Sequence, residues 1–145
     1  AFCKRARNLR QDVVFGADLI AGFPTETDAM FEETLGLIED CNLTYLHVFP
    51  YSARPGTPAV RMPQVPIHTA KIRAARLREA GEAARKRFHV TCIGKPARLL
   101  IERPRLGRSE HYAPVRLNVD ALPGMIVPAS IEGASTDALF GRVTG

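Results

Sequence analysis

The sequence predicts an α/β chain in two parts, a strand–helix–strand region over residues 1–90 and a small all-β barrel over residues 91–145. In the first part, strand-like apolar runs alternate with helical periodicity. In the second, short β-like runs are separated by glycine and proline. A chain of 145 residues with 46% hydrophobic content can bury one ordinary core or two small ones. We therefore expect a domain boundary near residues 88–92.

The first strand is predicted over residues 13–20, VVFGADLI. The run is almost continuously apolar, which is typical of a parallel strand covered on both faces. A turn at Gly22-Phe23-Pro24 follows, and then Thr25 and Asp28 have the spacing of a helix capping box. We expect a helix of about 12–14 residues there, whose buried face is formed by Phe31, Leu35 and Ile38.

A second strand is predicted over Tyr45–Phe49. Strand, helix and strand in this order indicate a parallel pair with a right-handed crossover. The segment from Pro50 to Pro66 contains five prolines. Proline fixes φ and favours an extended predecessor, so this loop is expected to be stiff although it lacks regular structure.

Residues 67–88 have helical periodicity, with apolar side chains on one face and charged side chains on the other. The apolar stripe comprises Ile72, Leu77, Ala80, Ala84 and Phe88, and the charged face comprises Lys71, Arg78, Glu82, Arg85 and Lys86.

The second part contains four clear strand candidates and one weaker one. Four or five short strands in about 55 residues favour a small OB-like barrel. The clear candidates are Ala97–Glu102, Tyr112–Val119, Met125–Ile131 and Leu139–Val143, and the weaker one is Thr91–Ile93.

Several classes of protein are disfavoured by composition. Cys3, Cys41 and Cys92 are odd in number and widely spaced, which argues against a disulfide framework and against a zinc site. His47 and His89 are isolated, as is His111, and each is interpreted as a structural or surface side chain. No apolar run has the length of a membrane span, so a cytoplasmic protein is expected. Because the first residue is alanine, we also expect a fragment of a longer protein.

Two loops stand out as candidate sites, each directly after a predicted strand. The first is GFPTET, residues 22–27, where glycine permits close approach to a ligand and the first helical turn offers N–H donors. The second is YSARPGTPA, residues 51–59, which places a phenol, two hydroxyls and a guanidinium in a stiff loop. Taken alone, the first pattern is most often just a turn, and Arg54 of the second could equally form a salt bridge with an acid of residues 26–40.

Together, GADLIAGFPTET and LHVFPYSARPGTPA, followed by a basic helix and a short β-domain, resemble the radical S-adenosylmethionine (SAM) methylthiotransferases. The resemblance is to the subgroup that modifies threonylcarbamoyl adenosine beside the tRNA anticodon. It implies the C-terminal part of a parallel (β/α) radical SAM barrel over residues 1–90 and an RNA-binding TRAM domain over residues 91–145. The parent enzyme would use SAM and two four-iron four-sulfur clusters, and its electron donor is unknown. The cluster cysteines lie outside this chain, so the chain alone is predicted to be inactive.

The resemblance also implies roles for individual residues. Cofactor binding is assigned to Ile20, Gly22, Phe23, Pro24 and Glu26, although Glu26 lies one residue late for the general radical SAM pattern. Substrate binding is assigned to Tyr51, Ser52, Arg54 and Thr57.

The distribution of charge supports an RNA partner. Residues 67–110 have a net charge of +8, against +5 for the whole chain. The predicted RNA contacts are Lys95, Arg98, Arg103, Arg105, Arg108, Tyr112 and Arg116. An ordinary basic surface is the alternative, and Tyr112 could belong to the core. Two other functions remain open: a methylthiotransferase acting on a ribosomal protein, and an RNA-binding module without catalysis.

Overall fold

A computed structural model describes all 145 residues, which form two compact units, Ala1–Ala84 and Arg85–Gly145. The division falls within the third helix. In chain order the elements are α1 (Phe2–Leu9), β1 (Phe15–Ala21), α2 (Asp28–Asp40), β2 (Leu43–Pro50), α3 (Ile67–Cys92), β3 (Pro96–Arg103), β4 (Leu106–Arg108), β5 (Pro114–Leu117), β6 (Ile126–Ala134) and β7 (Leu139–Val143), with a 3₁₀ turn at Pro58–Arg61.

In the first unit, β1 and β2 form a two-stranded parallel sheet, which confirms the predicted parallel pairing. The core on one face of this sheet includes Leu43, Val48, and Phe31 of α2. The expectation that β1 is covered on both faces is wrong, because Ile20 on its other face is 52% exposed. The helices of this unit cover one face only, so alternate residues of β1 are exposed.

Helix α2 has the expected length of 13 residues, but it begins later than predicted. Its N-cap is Thr27, whose hydroxyl accepts a hydrogen bond from the Met30 N–H at 3.2 Å. The predicted cap at Thr25 is therefore wrong: Thr25 lies in the preceding turn with a φ of +70°. Phe31 and Ile38 are buried as predicted.

Helix α3 is 26 residues long and continues through Cys92, so the weak strand predicted at Thr91–Ile93 is wrong. Gly94, with a φ of +80°, follows the helix end. The predicted stripe is correct at Leu77 and Ala84, but Ile72 is 49% exposed. The buried face begins instead with Ala70, Arg73 and Ala74, and Ala70 packs directly against the turn at Gly22.

The loop after β2 was expected to lack regular structure, but it contains the single 3₁₀ turn at Pro58–Arg61. Pro58 lies in the first positions of this turn, where its missing N–H is not needed.

The second unit contains a closed five-stranded barrel in the order β3-β4-β5-β7-β6, which confirms the predicted small β-barrel. All neighbours are antiparallel except β5 and β7, which are parallel. Its core includes Leu99, Ile131 and Leu139, all buried. His89 at the end of α3 is also buried, with Nδ1 2.8 Å from the Ser135 carbonyl oxygen, so it is structural as predicted.

Candidate ligand site and basic surface

The turn after β1 requires glycine at position 22. Gly22 has a φ of +74°, a region that residues with a Cβ rarely adopt. A Cβ built there would also lie 2.8 Å from the Ala70 Cα, and closer still to the Ala70 Cβ. The turn therefore packs directly against α3, and its backbone is held in one position.

Glu26 holds this turn from inside. Its Oε1 accepts hydrogen bonds from the Gly22 N–H at 3.0 Å and from Arg73 Nη1 at 2.7 Å. The side chains of Glu26 and Arg73 are only 11% and 8% exposed. Arg73 also donates to the Glu26 carbonyl at 3.1 Å and to Asp28 Oδ1 at 2.6 Å. Glu26 is thus placed to fix the shape of the turn, with its carboxylate directed at the protein's own groups.

Arg73 was missed in the sequence, where it was included only in the net charge of residues 67–110. The available signal was its position between Ala70, Ala74 and Leu77, on the face that α3 buries. The hydrogen bond that Arg73 donates to Asp28 raises the pKa of Arg73, as does the one it donates to Glu26, while burial lowers it. The guanidinium therefore stays charged.

The loop after β2 meets this turn at the C-terminal ends of the two strands. The Tyr51 N–H donates to the Ala21 carbonyl at 2.8 Å, and the Tyr51 ring lies edge-on to Phe23 with centroids 5.4 Å apart. Pro24, the residue after Phe23, is fully buried, while Phe23 itself is 42% exposed. The structure therefore brings together the loops predicted to bind cofactor and substrate.

The Tyr51 hydroxyl is buried and has no hydrogen-bond partner. A buried hydroxyl without a partner costs free energy, so such a group is expected where a ligand or water supplies the bond. In the neighbouring turn, the N–H groups of Gly22, Thr25 and Glu26 already donate within the chain. The Tyr51 hydroxyl is therefore the group that fits a polar small molecule at the C-terminal edge of the sheet, where parallel sheets bind ligands.

The remaining predicted substrate residues lie farther along the loop. Ser52 and Arg54 are exposed, and the Thr57 hydroxyl donates to the Arg54 carbonyl at 2.8 Å, so Thr57 stabilises the loop itself. The alternative of a salt bridge from Arg54 to an acid of residues 26–40 is wrong. Glu26 and Asp28 pair with Arg73, and Glu32 lies 2.7 Å from Arg76 Nη1. Arg54 forms no ion pair with the remaining acids of that segment. The Arg54 guanidinium is left facing solvent.

No group of three or more His, Cys, Asp or Glu side chains is arranged to hold a metal ion. All three cysteines are free thiols. The pKa of Cys41 is raised, chiefly by a hydrogen bond with Cys3, and burial raises the pKa of Cys92. Since no three such side chains come together, the cysteines do not supply the ligand set of an iron–sulfur cluster.

On the barrel, the predicted RNA-binding residues fall into two groups. Two are held by carboxylates: Arg105 Nε lies 2.6 Å from Asp120, and Arg108 Nη2 lies 3.1 Å from Glu102. Arg108 also lies over the Tyr112 ring, 4.7 Å from its centroid. The other group is exposed and forms no ion pair within the chain, and it comprises Lys95, Arg98, Arg103 and Arg116.

Tyr112 is 71% exposed with a φ of +63°, so the alternative that it belongs to the core is wrong. A second exposed aromatic residue, Phe140, was missed. Phe140 is 45% exposed and is the register partner of Arg116 on β5. Arg116 is also the register partner of Leu106 on β4, and Leu106 is the register partner of Arg103 on β3. The available signal was alternation in β7, where Leu139 and Gly141 point inward.

These pairings place Arg103, Leu106, Arg116 and Phe140 in one row across β3, β4, β5 and β7, which we call the cross-strand row. Cations beside an exposed ring on a barrel surface are the groups that contact phosphates and stack on bases. None of the three α-helices, of which the longest has 26 residues, combines the length and the apolar composition of a membrane span.

No protein-family model matches the chain. It is 48% identical over 132 residues to the threonylcarbamoyladenosine tRNA methylthiotransferase MtaB of Rickettsia prowazekii, an alignment that covers 91% of this chain and 31% of that protein. It is 35% identical over 137 residues to the tRNA-2-methylthio-N(6)-dimethylallyladenosine synthase of Neorickettsia sennetsu, covering 92% and 29%. The synthase of that name from Novosphingobium aromaticivorans is 35% identical over 150 residues, covering 99% and 34%.

The chain therefore spans about a third of the length of the curated relatives it matches. These relatives confirm the resemblance to methylthiotransferases predicted from the two loop motifs.

Proposed function

Since the chain is related in sequence to the tRNA methylthiotransferases over 91% or more of its length, we propose that it is part of an enzyme that methylthiolates threonylcarbamoyl-modified adenosine in tRNA. The observation that carries this proposal is the higher identity to the threonylcarbamoyladenosine enzyme, 48% against 35% for the dimethylallyladenosine enzymes. The two alternatives, a ribosomal-protein enzyme and a module without catalysis, have no support among these relatives.

Residues 1–90 are proposed as the C-terminal portion of a radical SAM barrel. The parallel β1–β2 pair with helices on one face supports this, since a closed parallel barrel is built from such units. The open face would then point into the barrel. Residues 91–145 are proposed as the RNA-binding TRAM domain.

SAM is proposed to bind at the C-terminal ends of β1 and β2, near Ile20, Gly22, Phe23 and Pro24. When bound there, SAM would supply the adenosyl radical after one-electron reduction by a cluster of the parent enzyme. The methyl group would come from a further SAM molecule, because this cleavage leaves the first methyl group on methionine. The Glu26 carboxylate accepts hydrogen bonds from the Gly22 N–H and from Arg73, and these bonds keep the turn in the shape that would receive SAM. The Tyr51 hydroxyl is oriented by the Phe23 contact and is available to a polar ligand atom.

The substrate base is proposed to lie on the side of the loop after β2. Ser52 and Arg54 are exposed there, and Arg54 has a guanidinium free to bind a carboxylate or phosphate. Thr57 contributes by holding the loop in place. These residues position the substrate and do not themselves transfer protons.

Binding of tRNA is proposed along the cross-strand row, with Lys95 and Arg98 adding charge. Arg105 and Arg108 contribute less, because each would first have to leave a carboxylate partner. Phosphate contacts release counterions, so log K should fall with log salt by roughly 0.7 to 0.9 per contact.

The experiment is tRNA binding by this chain over a salt series. Arg103→Ala with Arg116→Ala should make the slope shallower by about 1.4 to 1.8, the sum for two contacts. The matched control is Arg142→Ala, since Arg142 is exposed but bound to Glu132 at 2.7 Å, and its slope should match the parent. An unchanged slope in the double variant would remove the cross-strand row from the proposal.

A further inference from the structure

The open face of the β1–β2 sheet presents its side chains in paired rows. Nearest the C-terminal ends, Ile20 is the register partner of Phe49, and these are 52% and 54% exposed. One step farther from those ends, Asp18 is the register partner of His47, and both are exposed. Partners in neighbouring strands lie about 5 Å apart, so a single small ligand can contact both members of a row.

Some charged groups of this unit are paired within the chain. Glu26 and Glu32 pair with arginines, and Arg78 donates to the Val48 carbonyl. Neither the Asp18 side chain nor the His47 side chain forms an ion pair or hydrogen bond within the chain. The Asp18 carboxylate is a hydrogen-bond acceptor and the His47 ring can donate. The two lie side by side next to the apolar Ile20–Phe49 row, and neither side chain uses its hydrogen-bonding groups within the chain.

The chemistry of this row discriminates between the two substrates named for the relatives. A dimethylallyl group is a hydrocarbon and would leave a carboxylate and an imidazole without partners, which is unfavourable in a closed site. A threonylcarbamoyl group carries N–H groups, a hydroxyl, a carbonyl and a carboxylate. Its oxygens can accept from the His47 ring, and its N–H or hydroxyl can donate to Asp18.

We infer that His47, beside Asp18, selects the threonylcarbamoyl group of the substrate over a dimethylallyl group by hydrogen bonding on the open face of the sheet. This inference rests on the proposed function. The apolar Ile20–Phe49 row lies between these polar groups and the strand ends. Phe49 leads into the loop proposed for the substrate base, so it would contact the substrate's adenine ring while the modified arm reaches the polar row, and Ile20 would remain on the SAM side.

The test uses the complete product of the gene that encodes this chain, purified and offered an equimolar mixture of a tRNA with threonylcarbamoyladenosine and one with dimethylallyladenosine. The ratio of the two methylthiolated products gives the ratio of kcat/KM, independent of how much enzyme is active. The variants are His47→Phe and His47→Gln. His68→Phe is the matched control, because His68 is exposed in the first turn of α3.

In His47→Phe the preference for threonylcarbamoyladenosine should fall by about tenfold or more, the effect of one lost hydrogen bond to a charged group. His47→Gln keeps an N–H donor and should lose less, and His68→Phe should match the parent. An unchanged ratio in His47→Phe, or equal loss of both products in both His47 variants, would overturn the inference. A parent protein that methylthiolates neither tRNA would instead refute the proposed function itself.

Discussion

Replacing Arg73 by methionine should destabilise the first unit far more than the same replacement at Arg76. Both arginines lie on α3, bind a glutamate at 2.7 Å and lie near the Phe31 ring. They differ in exposure: the Arg73 and Glu26 side chains are 8% and 11% exposed, whereas Arg76 and Glu32 are 46% and 55% exposed. Methionine retains an apolar side chain similar to the aliphatic part of arginine, so the difference between the two variants reports the effect of removing a buried rather than an exposed charge.

The expected magnitude follows from what each glutamate retains. Removing one partner of a buried ion pair typically costs about 3–5 kcal/mol. Glu26 keeps the Gly22 N–H bond, and Asp28 is 95% exposed and returns to water, so the low end of that range, about 3 kcal/mol, is expected for Arg73→Met. Exposed pairs contribute about 0–1 kcal/mol, so Arg76→Met should change little.

Native-state hydrogen exchange provides the assay. A loss of about 3 kcal/mol should speed exchange of the β1 amides by roughly a hundredfold, while the β3 amides of the other unit serve as an internal reference. Adding Glu26→Gln to Arg73→Met should slow amide exchange again, because the buried negative charge of Glu26, left without its arginine partner, is removed. Equal exchange rates in Arg73→Met and Arg76→Met would refute the reasoning.

Three further outcomes are expected. Gly22→Ala should lower the free energy of unfolding of the first unit by more than about 2 kcal/mol in urea, because the new Cβ is strained at positive φ and also clashes with Ala70. Gly56→Ala should lower it by only about 1 kcal/mol, because Gly56 has positive φ but open space around it. Alkylation of Cys92 by iodoacetamide should be slower at pH 8 in the folded chain than in urea, because burial raises its pKa and lowers the thiolate fraction; equal rates would contradict this. Phe140→Ala should weaken tRNA binding by roughly 1–3 kcal/mol without changing the salt slope if the ring stacks on a base, and a changed slope would argue against stacking.

The sequence alone was sufficient to predict the elements whose hydrophobic periodicity runs through the whole element. The 13 residues of α2 and the strand Leu139–Val143 were predicted because their periodicity persists over their whole length. Strand β4 was missed because three residues, Leu106–Arg108, are too few to show alternation. The cap was misplaced by two residues because Thr25 and Thr27 are chemically equivalent, and only packing of the turn decides between them.

The candidate site was predictable in its loops but not in its internal contacts. The two motifs identify where Gly22 and Tyr51 lie, and their meeting follows from parallel pairing. The role of Arg73 depends on a contact 47 residues away in sequence, which no local pattern encodes. The open face of β1 was missed for a related reason: an apolar run shows that a strand can be buried on both faces, but not that both faces are covered.

The central claim, that this chain belongs to an enzyme modifying threonylcarbamoyladenosine in tRNA, is tested most directly by deleting its gene and measuring tRNA nucleosides by mass spectrometry. The account predicts that 2-methylthio-threonylcarbamoyladenosine disappears and threonylcarbamoyladenosine accumulates, and that the intact gene on a plasmid restores the modification. Unchanged levels of the methylthiolated nucleoside in the deletion strain, or loss of the methylthiolated dimethylallyl nucleoside instead, would contradict it.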